Sequence, residues 1–246
     1  MSLIETKDLT KIYGKGETAV TALNHINLQV EIGEFVAVMG PSGCGKSTLL
    51  YLLGGLDRPT GGEVYIEGQA ISGLSDNALT AIRRKQIGFV FQFYNLIPVL
   101  STVENAALPV TLDGVHPAEA KAKAEEWLNK VGLANRLKNR PDQLSGGQQQ
   151  RVAVARALVA EPKIILADEP TGNLDTRSSD EIATLLRQVA NQWGRSVVMV
   201  THDARIAAYA DRIVFLKDGS VIDEKIVAGA QDHNAQWVTQ KMQEIT

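Results

Sequence analysis

The sequence predicts an α/β fold built on a mostly parallel sheet, with a helical insert between its early and late strands. Two observations carry this. Short apolar runs recur without alternation at Phe35–Met39, Ile164–Ala167, Ser196–Thr201 and Ile213–Leu216, as strands buried on both faces require. Segments with helical spacing separate them, the pattern of parallel strands joined by crossover helices.

The elements follow in order. In the first thirty residues apolar and polar side chains alternate. Ile26, Leu28 and Val30 point one way, with Asn27 and Gln29 between them, which predicts strands with one wet face. A glycine-rich stretch after Met39 leads into a helix over Thr48–Leu53. From about Asn77 to Ala160 the pattern is mainly helical. His116 and Pro117 open one helix there; Ala120, Ala124, Trp127, Leu128 and Val131 share its face, and Gly132 stops it. A second helix, Gln149–Ala160, puts Val152, Ala155 and Leu158 on one side. In the tail Ala235, Val238, Met242 and Ile245 recur at near-helical spacing beside Trp237, and this helix is expected to pack on its own domain.

Composition narrows the function. At 44% hydrophobic over 246 residues, the chain has material for one large core or two modest ones. Disorder and collagen-like classes are excluded. With 25 Lys+Arg against 28 Asp+Glu, the chain is mildly acidic, whereas nucleic-acid binding leaves a basic footprint; no nucleic-acid partner is expected. The single cysteine forbids an internal disulfide and offers no thiolate cluster for zinc. The longest apolar stretch, Leu49–Leu56, holds two glycines and is too short to cross a bilayer. The first residues show no signal-peptide pattern, so the expected compartment is the cytoplasm.

The segment Gly40–Ser47 reads GPSGCGKS and fits G-x-x-x-x-G-K-[ST] between a buried strand and a helix. Its glycines let backbone N–H groups turn inward around phosphate oxygens, and the helix N-terminus adds positive potential. This is a nucleoside-triphosphate loop, a P-loop, in which Gly40, Pro41, Ser42, Gly43, Cys44, Gly45, Lys46, Ser47 and Thr48 are expected to cradle the nucleotide's phosphates. Lys46 would reach the β- and γ-phosphates, and the Ser47 hydroxyl would ligate magnesium. A second acidic element should complete the metal site. The strand Ile164–Ala167 ends in Asp168 and Glu169: Asp168 is placed to hold the metal's water shell, and Glu169 is the candidate general base. Because a helix N-terminus lowers a thiol's pKa, Cys44 is expected to be open to alkylation and protected by the bound nucleotide.

The pentapeptide Leu144–Gln148 reads LSGGQ and precedes a helix just ahead of the acidic strand. Its serine and glycines at a helix N-terminus would make a second anion site at Ser145, Gly146, Gly147 and Gln148. A GTPase or kinase reading of the P-loop leaves this element unexplained. At this point the chain resembles the nucleotide-binding subunit of an ABC transporter, over essentially its whole length. The resemblance implies a P-loop NTPase with a RecA-like, mostly parallel core, an antiparallel β subdomain and an inserted helical subdomain. Residues 1–90 and 161–246 would form the ATP-binding core, and 91–160 the helical part with the signature. It also implies roles for single residues. Tyr13 stacks on adenine, Gln92 touches the metal or the attacking water, the segment Gly172–Asp175 crosses to a partner subunit, and His202 approaches the γ-phosphate. His25, His116 and His233 show no ligand spacing and read as surface or packing residues.

The segments Leu53–Asp57, Gln92–Pro98, Ala167–Asp175 and Gly14–Thr18 narrow the resemblance to the macrolide-exporter and lipoprotein-release branch. It implies ATP and Mg²⁺ as cofactors, and two copies sharing each ATP between the P-loop of one and the signature of the other. Further implied partners are an integral membrane permease and a periplasmic or adaptor protein, with the chain peripheral on the cytoplasmic face of the membrane. Phe93, Tyr94, Leu96, Ile97 and Pro98 either form an apolar docking loop for that permease or fill the insert's own core. Two alternatives stand beside this reading: an ATPase that regulates envelope remodelling through a membrane partner, and a DNA-repair or translation ATPase with the same head.

Overall fold

The computed structural model describes residues 2–227 and 231–245. Strands β1 (Ser2–Tyr13), β2 (Val20–Ile26) and β3 (Gln29–Glu31) open the chain, and β4 (Phe35–Met39) leads through the glycine-rich loop into helix α1 (Lys46–Leu53). Next come β5 (Gly61–Ile66), β6 (Gln69–Ala70), α2 (Asp76–Gln86) and β7 (Ile87–Phe91). Three helices follow without an intervening strand: α3 (Thr102–Leu112), α4 (Pro117–Lys130) and α5 (Gly146–Leu158). The chain then alternates through β8 (Ile164–Asp168), α6 (Thr176–Asn191), β9 (Ser196–Val200), α7 (Ala204–Ala207), β10 (Arg212–Lys217), β11 (Ser220–Ile226) and α8 (Gln231–Ile245).

Two sheets form. In the smaller one β1 pairs antiparallel with β2, β3 and β5, and β6 extends β5. In the larger the order is β11-β10-β4-β9-β8-β7, parallel except for the edge hairpin β10–β11. Its central strands carry apolar residues on both faces, which explains their unbroken runs. Phe35, Ala37, Met39, Ile165, Ala167, Val197 and Met199 join a core shared with α3 to α6 and α8. Val36, Val38, Ile164, Leu166, Val198 and Val200 join a second core with α1 and the small sheet. The alternation along the early strands holds: Ile26, Leu28 and Val30 are buried, while Asn27 and Gln29 are exposed.

Helix boundaries follow local chemistry. His116 caps α4, Pro117 sits at its first position, and Gly132 lies just past its end at φ +79°. The five residues expected on its inner face are all buried, and Trp127 meets Trp193 edge to face at 5.1 Å. Helix α5 starts three residues earlier than its apolar spacing predicts. Ser145 Oγ accepts from the Gln148 N–H, and Gln148 Oε1 accepts from the Ser145 N–H at 3.0 Å. This capping box (S-x-x-Q) was readable in the sequence. The tail packs on its own domain as expected: Val238 and Ile245 are buried, and Trp237 stands edge to face with Phe215 at 5.7 Å.

Candidate functional site

The register of the larger sheet assembles the site. Phe91 pairs with Asp168, Asp168 with Val200, and Val38 with Val200. The residues that follow these strands, Gln92, Glu169, His202 and the Gly40 loop, therefore leave the sheet at the same end. Ligands of open parallel sheets gather at this carboxyl end.

Two glycines fix the course of the P-loop. A Cβ on Gly40 would lie 2.1 Å from the Leu216 carbonyl oxygen, and one on Gly45, at φ +103°, would lie 2.2 Å from that of Ala22. Both close approaches need glycine. Gly43 also sits at positive φ. No side chain caps α1 at Gly45, so the first-turn N–H groups face the loop's hollow. Lys46 is buried, and its ammonium donates to the carbonyls of Gly40 and Pro41 at 2.9 and 2.8 Å. Ser47 Oγ donates to Asp168 Oδ1 at 2.9 Å, so the hydroxyl and carboxylate predicted to share a metal are adjacent. Ser42 is exposed beside the half-buried Pro41, and Thr48 reaches the hydroxyl of Tyr13.

Tyr13 lies 43% exposed at the rim, its hydroxyl donating to Asp57 Oδ2 at 2.8 Å. The Lys11 ammonium stands 4.8 Å from the ring centroid and also pairs with Asp57 at 2.7 Å. Burial raises the Tyr13 phenol, as does its bond to Asp57. Burial alone would raise Asp57 too, but the bonds from Lys11, Tyr13 and the Arg58 N–H outweigh it and hold the carboxyl below its usual range.

Glu169 leaves β8 in a left-handed conformation at φ +46°, its N–H donating to the Val200 carbonyl at 3.0 Å. Its Oε2 lies 2.9 Å from His202 Nδ1. The candidate general base and the histidine expected near the γ-phosphate thus touch. The Gln92 amide lies against Gly172, where a Cβ would come within 2.8 Å of its Nε2, and Asn173 donates to the Gln92 carbonyl at 3.0 Å. Asp175 caps α6 by accepting from the Ser178 N–H at 2.8 Å.

The signature stands on other supports. Helix α5 packs on β7, α3, α4 and α6, whereas α1 packs on β2, β8 and β9. Ser145 is exposed, and added carbons at Gly146 and Gly147 would crowd the Tyr94 hydroxyl and the Ser178 side chain. Gln148 turns its amide back onto Ser145, as part of the cap.

The expectation for Cys44 is overturned. The thiol is 5% exposed. Burial pushes its pKa up and outweighs the nearby Lys46 ammonium, 3.8 Å away, which pulls it down. Helix-end potential cannot compensate for lost hydration here. A raised pKa leaves less thiolate at any pH below it. Native protein at neutral pH is thus expected to react with iodoacetamide far more slowly than denaturant-unfolded chain, with or without ATP. Mass spectrometry of Cys44 checks this.

The apolar loop after Gln92 divides. Phe93 is 71% and Val99 72% exposed, with Ile97 and Pro98 also outward, while Leu96 packs on the core and Tyr94 is half-buried against Gly146. Beside it lies a 340 Å³ cavity floored by Phe89 and Phe91, with Arg83, Arg84 and Arg156 in its wall. His25 is exposed, His116 caps α4, and the side chain of His233 lies outside those described.

Sequence reasoning missed two residues. Gln150 is fully buried, and its Nε2 donates to the carbonyls of Phe91 and Pro170. It ties the signature helix to the chain just before Gln92 and just after Glu169. Tyr51 donates to Asp168 Oδ2 at 3.0 Å. Neither contact has a signal along the sequence, since both depend on how helices lie across the sheet.

Comparison with known proteins closes the question of family. The model of the ABC transporter ATP-binding family, described as "ABC transporter", matches residues 23–172. The chain belongs to the ABC transporter family. It is 52% identical over 221 residues to the lipoprotein-releasing system ATP-binding protein LolD of Geobacter metallireducens, covering 90% of this chain and 98% of that protein. It is 50% identical over 222 residues to the macrolide export ATP-binding/permease protein MacB of Hyphomonas neptunium, of which it spans 34%. The ATP-binding cassette MJ0796 of Methanocaldococcus jannaschii, solved as a dimer in a post-hydrolysis state with ADP and Pi, superposes with a TM-score of 0.84. The two are 46% identical, over 92% of this chain and 100% of that one. This ABC protein is an ATPase with the P-loop cassette fold. Among its described residues no helix is long and apolar enough to cross a membrane.

Proposed function

We propose that the chain is the ATP-hydrolysing motor of a membrane transporter of the lipoprotein-release and macrolide-export kind. It would work as a homodimer on the cytoplasmic face of the membrane, bound to a permease subunit, with a periplasmic or adaptor protein beyond it. The observation that carries the reading is the division of the site. Lys46, Ser47, Asp168, Glu169 and His202 meet at the carboxyl end of the sheet, while Ser145, Gly146 and Gly147 stand on a different set of supports. Each chain then holds two half-sites, and a second copy completes both. Residues 1–90 and 161–246 act as the ATP-binding core, and 91–160 carry the signature.

Ser47 and Asp168 fit magnesium. That ion takes oxygen donors, keeps most of its water and needs only one or two protein ligands; here a hydroxyl and a carboxylate lie 2.9 Å apart beside the P-loop. Gln92 would reach the ion or the attacking water from the neighbouring strand end. When bound, magnesium neutralises charge on the β- and γ-phosphates. Tyr13 supports adenine, and the loop's N–H groups with Lys46 hold the phosphates. Glu169 accepts a proton from water as the water attacks the γ-phosphorus in line, and ADP leaves. His202, bonded to Glu169, fixes that carboxylate and faces the γ-phosphate. Ser145, with the N–H groups of Gly146 and Gly147 at the N-terminus of α5, clasps the same phosphate from the other copy, while the Gln148 N–H stays in the helix cap. Loss of that bridging anion lets the pair open.

The exposed Phe93, Ile97 and Val99 form the face through which opening and closing reach the permease. The test is recovery of the membrane subunit from detergent-solubilised membranes. The double variant Phe93→Asp, Val99→Asp is expected to lose the permease, identified by mass spectrometry, while binding ATP normally. Undiminished recovery would place the contact elsewhere.

A further inference from the structure

We propose that Tyr51 is a positioning residue for the metal-holding carboxylate. Helix α1 reads KSTLLYLL, and Leu49, Leu50, Leu52 and Leu53 are buried in the core beneath the small sheet. Ser47 and Tyr51 are four residues apart, so their side chains lie one above the other on the same helical face. That face packs over the end of β8. There the two hydroxyls divide the Asp168 carboxylate: Ser47 donates to Oδ1 at 2.9 Å and Tyr51 to Oδ2 at 3.0 Å. Asp168 is itself 9% exposed, so its oxygens must be satisfied from the protein or the site's water.

The consequence is orientational. With Oδ2 held by the phenol, the carboxylate plane is fixed and Oδ1 stays turned toward Ser47, on the P-loop side. Without the phenol, rotation about the Cβ–Cγ bond would carry either oxygen out of register with the hydroxyl it must join in holding the metal. Loss of a partner that orients a ligand group in this way typically costs about ten- to a hundredfold in metal affinity. Tyr51 thus contributes to magnesium binding without touching the ion, by removing a freedom that Asp168 would otherwise lose only on binding it.

The assignment rests on the magnesium-ATP reading above, and its test separates the two. The affinity of the full chain for a fluorescent ATP analogue is measured in EDTA and in magnesium, for the native protein and for Tyr51→Phe, which keeps the ring and its packing. The variant is expected to bind the analogue in EDTA as the native chain does. The tightening that magnesium brings is expected to shrink by about tenfold. Replacing magnesium by manganese and following the ion's own spectroscopic signal should show the same loosening. An equal magnesium gain in both proteins overturns the role of Tyr51, and so does an equal loss of affinity with and without metal, which would make it a packing residue. No magnesium response in the native chain would instead defeat the metal reading itself.

Discussion

Glu169→Gln is expected to lower ATP turnover by roughly one hundred- to ten-thousand-fold, the range a general base supplies, while ATP binding persists. The substitution keeps size and a hydrogen-bonding oxygen near His202 but removes the basic carboxylate that takes the water's proton. Little else should change, because the backbone at Glu169 is held by its N–H bond to Val200 and by the Gly172 N–H on its carbonyl. Bound ATP would then bridge two chains without being consumed. The variant should elute as a dimer in ATP and as a monomer in ADP. Turnover at the native rate would dismiss Glu169 as the base.

The second large effect comes in two halves, from opposite ends of the shared site. Lys46→Ala removes the ammonium that the carbonyls of Gly40 and Pro41 hold in the P-loop. Loss of a charge aimed at the transferring phosphoryl group is expected to cut hydrolysis by roughly one hundred- to a thousandfold, together with ATP affinity. Ser145→Arg acts differently. Ser145 is exposed, and its hydroxyl caps α5, so the fold loses only about 1 kcal/mol of capping. ATP should still bind at that chain's own P-loop. What fails is closure of a second copy over it, and turnover falls with closure. Titration of ATP separates the halves, because only Lys46→Ala weakens binding to the single chain.

The two variants bear on what the sequence could reveal. Lys46, Ser47, Asp168 and Glu169 were legible because each sits at a fixed step from an unbroken apolar strand, so local spacing alone puts it at a strand end. The sheet order was legible only as a class. Runs such as Phe35–Met39 announce burial on both faces, but not that β4 lies between β10 and β9. That order decides which strand ends meet. Gln150 and Tyr51 stayed hidden for the same reason: one crosses from α5 to two loop carbonyls, the other from α1 to the end of β8, and neither reach is written in a spacing. Cys44 shows an inference failing on competing magnitudes. The helix N-terminus and Lys46 favour a thiolate, but burial of the sulfur opposes it more strongly. The apolar loop after Gln92 was ambiguous because its side chains divide, Leu96 inward and Phe93 and Val99 outward. Composition cannot separate neighbours that face opposite ways.

The central claim, that each ATP is enclosed by two chains, has a direct measurement. Lys46→Ala and Ser145→Arg are each combined with Glu169→Gln, so that any enclosed ATP stays intact, and the two proteins are sedimented with ATP singly and mixed. Each alone should remain monomeric. Mixed in equal amounts they should form a dimer with one ATP, because one chain still supplies an intact P-loop and the other an intact signature. A mixture that stays monomeric at every ratio, while Glu169→Gln alone dimerises, would contradict the account.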